Sequence, residues 1–584
     1  MVSERMVTGE PTGKKWPTSQ VAKWVAATFL VGGGVVALVW AVRHYSPPQT
    51  QMGDGLIPGS ALLSVSMSTE PETWQQARQL GTTNTQDQLQ KTFQQWRDRL
   101  TAATGYNYEQ DIQPWVGKRV TLAFLPSEQP ALEKTHPSQL AIFPIANRNA
   151  FTEMWRSPDK LEKNQWSQRS YQGVTIWEIG SSETTYAAAV LQQRFVVIAN
   201  QPQTLEKAID AYQQNTSIAD AEGYQQAWKQ LPQAANTDNA KLSLARLYVN
   251  VPEVAAWLAK ISVNSETLPK ITQIPQNQGI VGSVALESEG VRLQTLSWRS
   301  ADSGSNTSTN KKAYLVSNES PSMLSRLSAD AVLAVSGNNL QRFWQNYSQR
   351  AKLNPLNPLN VEWLRQALQS TVDLNLETDL LPWMDGAFVV SVLPAPQETK
   401  SPLPGGVAFL VQTSDRARAE TTLSKLDKVI TDKYEYNIED KKINGRSVVN
   451  WTSPMGSVTV TYGWLPQDIL FFTVGAPIAD RVVSSSDPTL PEREVFQKTF
   501  PQLERPYNGN FYINIDQTLN SDRPLLPKFP PEQQVWIESL RAIGVTVAVQ
   551  NEFSTYYDVF LLVHRNHSAS NASNDSTETS DREN

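Results

Sequence analysis

Cysteine is absent from the chain, and histidine occurs only four times in 584 residues. Without cysteine, the chain has no disulfides, thiolate metal sites, cysteine nucleophiles or lipid-modified cysteine anchor. Two of the histidines, His564 and His567, lie close together near the C-terminus, with no cysteine or acidic cluster beside them. That pattern favours two polar surface residues over a zinc site, so no metal ligand is predicted.

The short motifs of hydrolases and nucleotide-binding proteins are also missing. The sequence contains no HExxH zinc motif, Walker loop, EF-hand loop or GxSxG nucleophile elbow. Residues 157–160 read SPDK and match an SxxK pattern, but no KTG or suitably placed SxN accompanies them. A turn at the edge of a helix is therefore the preferred interpretation. Carboxylates are abundant, yet an acid–base pair is chosen by geometry, so we predict no catalytic residue and no cofactor.

The charge of the chain is mildly negative, with 51 Lys and Arg against 57 Asp and Glu and a net charge of −6. No block of basic residues alternates with aromatic residues, so a nucleic-acid partner is not expected. Hydrophobic residues make up 40% of the chain and tryptophan occurs 18 times, which favours packed cores over disorder. The length predicts roughly two to four domains.

One uninterrupted apolar run, residues 24–42, separates a basic N-terminal segment from the rest of the chain. The run carries no charge and is long enough to cross a bilayer as a helix. Trp24 and Trp40 would then stand ~24 Å apart, near the two membrane interfaces. Residues 1–23 carry four basic and two acidic side chains, so the positive-inside rule places the N-terminus in the cytoplasm. A cleaved signal peptide is the alternative, but no small-residue cleavage site follows the run.

Segments of the sequence recur about 270 positions further along the chain. Residues 57–66 (IPGSALLSVS) are matched by 327–336 (LSADAVLAVS), and residues 111–126 (DIQPWVGKRVTLAFLP) by 379–394 (DLLPWMDGAFVVSVLP). Weaker matches follow in the same order, so two tandem copies of one fold are predicted. The predicted organisation is a cytoplasmic basic segment (1–23), a transmembrane helix (24–42), a linker (43–55), a first repeat (56–299), a polar linker (300–312), a second repeat (313–565) and a disordered acidic tail (566–584).

Each copy mixes short β-strands with helices. In the first copy we predict helices over 86–103 and 150–161 and from residues 202 and 252. Several neighbouring strands are joined by turns too short for a parallel crossover, so antiparallel pairing is expected. The predicted fold class is therefore α+β, with a mostly antiparallel sheet covered by helices. The predicted strands of the first copy are 61–67, 119–125, 140–146, 174–178, 185–191, 195–199 and 243–251, with two more that end near residue 298.

The segment 111–126 places a tryptophan and two cations before an apolar run, which fits either an anion-binding site or a structural turn. The cations, Lys118 and Arg119, align with Gly386 and Ala387 in the second copy. Because the second copy lacks these cations, they are not a shared requirement of the motif. A structural motif is therefore the preferred interpretation. The residues that do recur are Asp111, Pro114 and Trp115, which match Asp379, Pro382 and Trp383.

Each residue of this motif has an expected structural role. We expect Asp111 to cap a short turn into which Pro114 fits, and Trp115 to pack inward. Gly117 then permits the bend into the following strand, and Pro126 ends that strand.

Two stretches of the sequence together resemble a bacterial family known as domain of unknown function 3352. They read P-x-x-x-x-L-x-V-S and D-x-x-P-W-x-G-x-x-V-x-L-A. The second copy departs from the latter pattern by placing Gly386 one position later than expected. The family is common in cyanobacteria and has one N-terminal membrane helix, and the resemblance implies no activity and no functional residues. The residues that carry it are Pro58, Leu63, Val65, Ser66, Asp111, Pro114, Trp115, Gly117, Val120, Leu122 and Ala123.

The leading functional hypothesis is a non-catalytic, single-pass protein that binds other proteins or envelope components. It contacts the bilayer of the plasma or the thylakoid membrane through one helix, and its two related domains stand in the periplasm or the lumen. One rival is an envelope-acting hydrolase that uses carboxylate, Ser or Lys residues, which a pocket with buried carboxylates would support. Another is a ligand-binding sensor or transport accessory, which predicts a deep apolar cavity.

Overall fold

The computed structural model describes residues 53–565 of the chain except for several internal segments. The predicted membrane helix (24–42), with Trp24 and Trp40, and the acidic tail (566–584) therefore lie outside the described residues, as does the polar linker (300–312). Within the described part of the chain, no helix is both long enough and apolar enough to span a bilayer. The segments left out are 92–93, 95–106, 128–136, 156–166, 181–184, 232–241, 262–276, 300–322, 352–359, 398–400, 402, 455–457, 485–487, 501–506, 520–523, 526–529 and 552.

Twenty β-strands form one sheet in the described part of the chain. Ten belong to the first half (residues 53–299) and ten to the second half (residues 323–565). The strands of the first half are β1 (Leu63–Ser68), β2 (Arg119–Leu125), β3 (Ser138–Pro144), β4 (Ser167–Tyr171), β5 (Val174–Gly180), β6 (Thr185–Leu191), β7 (Phe195–Ala199), β8 (Leu242–Asn250), β9 (Asn277–Glu287) and β10 (Gly290–Arg299). Those of the second half are β11 (Leu333–Gly337), β12 (Phe388–Pro394), β13 (Gly405–Gln412), β14 (Asn437–Ile443), β15 (Arg446–Thr452), β16 (Thr459–Leu465), β17 (Ile469–Gly475), β18 (Gly509–Asn514), β19 (Leu540–Val549) and β20 (Ser554–Val563).

The strands follow the same spatial order in the two halves, and every pairing is antiparallel. From its outer edge inward, the first half runs β4, β5, β6, β7, β3, β2, β1, β8, β9, β10. The second half runs β14, β15, β16, β17, β13, β12, β11, β18, β19, β20. The inner strands β10 and β20 pair with each other from Gly290–Leu562 to Trp298–Ser554. The halves therefore share one continuous sheet, and β10 and β20 lie at its centre.

Helices cover both faces of this sheet. Because successive side chains along a strand point to opposite faces, Phe195 and Val197 of β7 lie in one apolar cluster and Val196 in another. The helices of the first half include α1 (Pro71–Ala77), α2 (Arg148–Trp155), α3 (Pro202–Gln214), α4 (Tyr224–Gln230) and α5 (Val251–Ile261). Residues 83–91 are also helical, and most of the remainder of the helix predicted over 86–103 lies outside the described residues. Those of the second half are α6 (Leu340–Ala351), α7 (Val361–Val372), α8 (Arg416–Tyr434), α9 (Ala479–Val483), α10 (Glu494–Thr499), α11 (Ile515–Leu519) and α12 (Pro531–Glu538).

Two large apolar clusters lie on the same face, one in each half. The first-half core contains Leu205 and Ile209 of α3, which pack with Ile142 and Val197 of the sheet. The second-half core contains Val482 and Phe496 of α9 and α10. They pack against the sheet residues Val389, Leu410 and Phe471.

Local chemistry explains where several of these elements begin and turn. Helix α3 starts with Pro202, whose missing N–H is tolerated in the first turn, and ends at Asn215 in the left-handed region with φ 55°. The β4–β5 hairpin turns at Gln172–Gly173 and the β14–β15 hairpin at Asn444–Gly445, and both residues of each pair have positive φ. Such turns match the twist of paired antiparallel strands. The edge strand β14 reads NIEDKKI, and its run of four charges opposes edge-to-edge association.

The two halves also repeat specific hydrogen bonds. The N–H of Ser217 donates to the carboxylate of Asp220 at 3.0 Å, and the N–H of Thr489 donates to that of Glu492 at 2.7 Å. Each pair forms a capping box at the start of a short 3-10 turn. Isolated bridges, Pro58–Ser217 and Ser328–Thr489, tie the turns to the segments that precede β1 and β11.

The predicted α+β class with antiparallel pairing is confirmed. Strands β2, β6 and β7 have the predicted bounds, and β3 starts and ends two residues before the prediction. Strand β4 was not predicted, because its sequence SQRSY is largely exposed and lacks apolar alternation. Helix α2 covers 148–155, and the remainder of the helix predicted over 150–161 lies outside the described residues.

Candidate functional site

A row of polar residues crosses the centre of the sheet at right angles to the strands. Ser66 of β1 lies opposite Thr121 on one side and Arg246 on the other. Directly opposed polar residues then continue across β9, β10, β20, β19, β18 and β11. We call this set the polar row. Its members in spatial order are Thr121, Ser66, Arg246, Ser283, Gln294, Asp558, Thr546, Asn510 and Ser336.

The polar row separates the two large apolar cores. Residues two positions along a strand share a face, so the neighbours of the row on its own face are known from the register. On one side they include Tyr248, Val281 and Leu296 of the first-half core. On the other side they include Ala334, Tyr512 and Phe560 of the second-half core. Both ends of the row are buried, while most of its central members are only half-buried, so solvent reaches it near the middle of the molecule.

An ion-pair network holds the centre of the row. Arg292 of β10 is 4% exposed, and its guanidinium donates to both carboxylate oxygens of Asp558 at 2.8 and 2.9 Å and to Glu287 at 2.6 Å. Burial lowers the pKa of Arg292, but the two carboxylates outweigh it and the pKa is raised. The guanidinium carbon also lies 5.0 Å from the centroid of the Phe560 ring. Because Arg292 and Asp558 belong to different halves, the network ties the halves together.

Hydrogen bonds and ring contacts satisfy the first-half end of the row. The hydroxyls of Ser66 and Thr121 are 2.5 Å apart. The guanidinium carbon of Arg246 lies 3.7 Å from the ring centroid of Trp228, a cation–π geometry. Burial lowers the pKa of Arg246. Burial, together with the charge of Arg246, lowers the pKa of the adjacent Arg119 to about 10.

A half-buried carboxyl group, that of Asp54, lies beside this end. The hydroxyl of Tyr224 donates to the Asp54 carboxylate at 2.8 Å. Burial raises the pKa of Asp54, although the Tyr224 hydrogen bond and the charges of Arg246 and Arg119 oppose the shift. A raised carboxyl pKa is one property of general acids. Asp54 is, however, only half-buried, and the groups that act on it are a tyrosine and two arginines rather than a second carboxylate.

The second-half end of the row differs. Ser336 and Asn510 lie opposite each other and are 3% and 4% exposed. Neither the Ser336 hydroxyl nor either polar atom of the Asn510 amide has a hydrogen-bond partner among the described residues. On its other side Ser336 lies opposite Val389, where Ser66 lies opposite Thr121. This end therefore holds buried polar groups with unused hydrogen-bonding capacity.

The sequence-predicted structural motif lies on the other face of the sheet. Trp115 is buried in a separate cluster against Phe143 and Phe151, and its Nε1 donates to the Asp111 carbonyl at 2.6 Å. Trp383 is also buried, and its Nε1 donates to the Asp379 carbonyl at 2.8 Å. Each tryptophan follows a π-helical turn, Tyr108–Ile112 or Leu376–Leu380.

The cap of the first π-helical turn is Asn107, and the expectation that Asp111 caps it was wrong. Asn107 Oδ1 accepts the N–H groups of Glu109 and Gln110, while the Asp111 carboxylate accepts the N–H of Asn107 at 2.7 Å. The physical reason is that the turn starts earlier than the sequence pattern indicates, so the cap must precede Tyr108. Asn375 and Asp379 repeat the reciprocal arrangement, with a corresponding distance of 2.8 Å.

The remaining motif residues occupy equivalent turns. Pro114 and Pro382 each stand directly before the buried tryptophan, in a turn that follows the π-helix. The N–H of Gly117 donates to the Pro144 carbonyl at 2.8 Å. The N–H of Gly386 donates to the Gln412 carbonyl at 3.1 Å, so the glycine shifted by one position keeps the link to the neighbouring strand.

The two cations that follow Gly117 have different partners. Lys118 is exposed and pairs with Glu70 at 2.7 Å. Arg119 is buried and donates to the carbonyl and hydroxyl of Ser243 at 3.0 and 2.7 Å. Since they point to separate partners, they do not form a joint anion site.

The remaining candidates from the sequence are the two C-terminal histidines and the SPDK stretch. His564 Nε2 lies 2.8 Å from Asp516 Oδ1, whereas His567 and the SPDK stretch at 157–160 lie outside the described residues. No group of three or more His, Asp or Glu side chains in the described ranges is arranged to hold a metal ion.

The polar row was missed from the sequence, although its members carry a weak signal. Ser66 and Ser336 belong to the recurring LSVS and LAVS segments, where a polar residue interrupts an apolar strand. The other members come from strands far apart in sequence, and only the sheet register brings them into line.

Comparisons with known proteins give a family but no described activity. A family model described as protein of unknown function (DUF3352) matches residues 24–563, and no curated protein matches the sequence. The solved structures that are similar include crystal forms I and IV of TP0453, each with 9% identity. The alignments cover 44% of this chain and 82% and 81% of those chains, with TM-scores of 0.23 and 0.22.

Proposed function

The chain belongs to the family of proteins of unknown function DUF3352, and from that premise we propose that it is a non-catalytic, membrane-anchored binding protein. Its N-terminus lies in the cytoplasm and its bulk in the periplasm or thylakoid lumen. The apolar run at 24–42 and its basic flank support this topology. The family match begins at residue 24, so it includes that run.

We also propose that the two halves are tandem copies of one fold. Three observations support the proposal: the shared strand order, the paired capping boxes, and the tryptophan that donates to an aspartate carbonyl four residues earlier. Each depends on a local sequence pattern as well as on topology. Their repetition at equivalent places favours duplication over independent origin.

The β10–β20 ladder is the observation that carries the binding function. It joins the halves through main-chain hydrogen bonds, and the Arg292 network adds side-chain bonds across the same junction. Contact points on the two halves are therefore held at a fixed spacing, which favours simultaneous engagement of a large partner. The rival hydrolase would use a pair of carboxylates facing an open pocket, whereas Asp54 accepts a hydrogen bond from Tyr224 and lies near two cations, Arg246 and Arg119.

An exposed tryptophan marks a place where a protein partner would bind. Trp363 of α7 is 53% exposed, and aromatic residues are enriched at protein interfaces. Tyr212 of α3, in the first half, is 41% exposed and provides a second exposed ring for comparison.

The test is photo-crosslinking of the full chain in intact cells, with a photoreactive amino acid at position 363 or at position 212. We expect discrete crosslinked species from position 363, and Trp363→Ala should reduce recovery of the same partners with the purified protein. Absence of crosslinked species from position 363, or unchanged recovery with Trp363→Ala, would contradict the proposed partner site. The same partner crosslinked from position 212 would show that it contacts both halves.

The topology has its own test. The intact mass of the protein purified from membranes should include the first 23 residues, and protease added to the cytoplasmic side should leave the two halves uncut. A mass that lacks the first forty or so residues would instead indicate a cleaved signal peptide.

A further inference from the structure

We propose that Ser336 and Asn510 form a buried site for a neutral hydroxyl group, supplied by water or by a polyol ligand. The two side chains lie directly opposite each other on β11 and β18. Their three polar atoms have no hydrogen-bond partner in the described part of the chain, although both residues are more than nine-tenths buried. Buried polar groups in folded proteins are almost always hydrogen-bonded, with ordered water filling the gap when protein groups do not.

The side chains of the site select an uncharged guest, meaning the bound water or polyol. Serine and asparagine offer both donors and acceptors but no charge, and Val389 on the other side of Ser336 is apolar. The nearest ionised member of the row, Asp558, is already paired with Arg292. An ion would lose its hydration without gaining a counter-charge. A hydroxyl can donate to the side-chain Oδ1 of Asn510 while it accepts from the Nδ2 of that side chain or from the Ser336 hydroxyl.

The first half shows why the site exists at one end of the row only. There, Thr121 supplies the hydroxyl that Ser66 needs, and Arg246 extends over the ring of Trp228. In the second half, Val389 occupies the position that corresponds to Thr121. Asn510, which is shorter than arginine, occupies the position that corresponds to Arg246. The serine is kept while both of its polar neighbours have changed.

The direct experiment is a high-resolution crystal structure of the full chain, grown without polyols and again with glycerol. We expect density within hydrogen-bond distance of both Ser336 Oγ and the Asn510 amide. A compact peak that is unchanged by glycerol identifies water, and an elongated peak that appears with glycerol identifies a polyol. A site with no density, in which the two side chains bond to each other or to protein groups, would overturn the proposal.

A second measurement separates the two sources in solution. The Tm of the wild type and of Asn510→Leu is measured against increasing glycerol and sorbitol, because general osmolyte stabilisation raises both equally. An excess rise in the wild type, on the order of 2 °C, indicates a bound polyol. Parallel curves, together with a long-lived buried water that is detected by oxygen-17 relaxation only in the wild type, indicate water.

Two further variants test whether the measured signals come from this site. Val389→Thr places a hydroxyl beside Ser336 and should displace the guest without removing either residue of the site. Ser66→Ala removes a hydroxyl that is already paired in the first half, and it should leave the buried-water signal and the polyol response unchanged. Equal loss of the signal in Ser66→Ala and Val389→Thr would show that it comes from elsewhere, which contradicts the proposal.

Discussion

The two ends of the polar row have the same backbone register but different side-chain chemistry. At the first-half end, Ser66 pairs with a threonine hydroxyl and faces an arginine that rests on Trp228. At the second-half end, Ser336 faces Val389 and Asn510 and has no hydrogen bond within the described residues. Main-chain hydrogen bonds and apolar alternation maintain the strand pairing. The side chains at the positions of the polar row can therefore differ between the halves without loss of the sheet. The two ends therefore have the same strand register but different side-chain chemistry.

The predicted structural motif, by contrast, has the same side-chain hydrogen bonds in both halves. Its tryptophan, aspartate and capping asparagine make the same hydrogen bonds in both halves. A buried indole with a satisfied N–H is difficult to replace, because the ring fills a cavity and its donor needs a fixed acceptor.

The largest expected effect comes from removing this shared anchor. Trp115→Ala and Trp383→Ala should each lower the free energy of unfolding by about 3 to 5 kcal/mol, since each ring is almost fully buried. Urea unfolding followed by circular dichroism measures the loss. Trp363→Ala, which truncates an exposed ring, is the control and should change stability by less than about 1 kcal/mol. A similarly small loss for Trp115→Ala would revive the binding-site interpretation of the motif.

Breaking the link between the halves should have the next largest effect. Arg292→Leu leaves Asp558 and Glu287 without their buried cation, so we expect a loss of roughly 3 kcal/mol. Unfolding should also separate into two transitions, because the side-chain network across the β10–β20 ladder is gone. The exposed pair of Lys441 with Glu439 provides the control, and Lys441→Gln should cost less than about 1 kcal/mol. Unchanged stability and a single transition in Arg292→Leu would refute the role of the network.

A reciprocal exchange tests the comparison of the two ends directly. Thr121→Val gives the first half the pattern of the second and leaves the Ser66 hydroxyl buried without its partner, so we expect a loss of about 1 to 3 kcal/mol. Val389→Thr gives the second half the pattern of the first. Its effect should stay below about 1 kcal/mol in either direction, because the new hydroxyl replaces the guest on Ser336. Both values come from paired urea titrations, and equal costs for the two variants would argue against a guest at the second end.

The smallest expected effect is a pH dependence confined to the first half. Burial raises the pKa of Asp54 in the folded protein, so the folded state holds this proton more tightly than the unfolded state. The contribution of Asp54 to stability therefore falls as pH rises from its unfolded pKa of about 4 through the raised folded value. Asp54→Asn should gain stability relative to the wild type as pH rises from about 4 to 7. Parallel stability profiles for the two proteins over that range would show that the carboxyl titrates normally.

Local sequence patterns accounted for much of the fold. The bounds of β2, β6 and β7 followed from short apolar runs between turn residues, and the start of α3 from Pro202. The exposed strand β4 and the capping role of Asn107 were not found, because neither carries an apolar pattern. The Trp115 and Trp383 environments were anticipated only through their recurrence in the sequence.

The amino-acid sequence was sufficient to establish the absence of cysteine chemistry, the apolar run at 24–42 and the recurrence of segments, and to predict the antiparallel α+β class. These properties depend on composition and on contacts between residues that are close along the chain. The folded structure was needed to find that β10 pairs with β20, that Arg292 contacts Asp558, and that Ser336 lies opposite Asn510. Such contacts depend on the register between strands distant in sequence, and a polar residue in one strand does not specify which residue will lie opposite it.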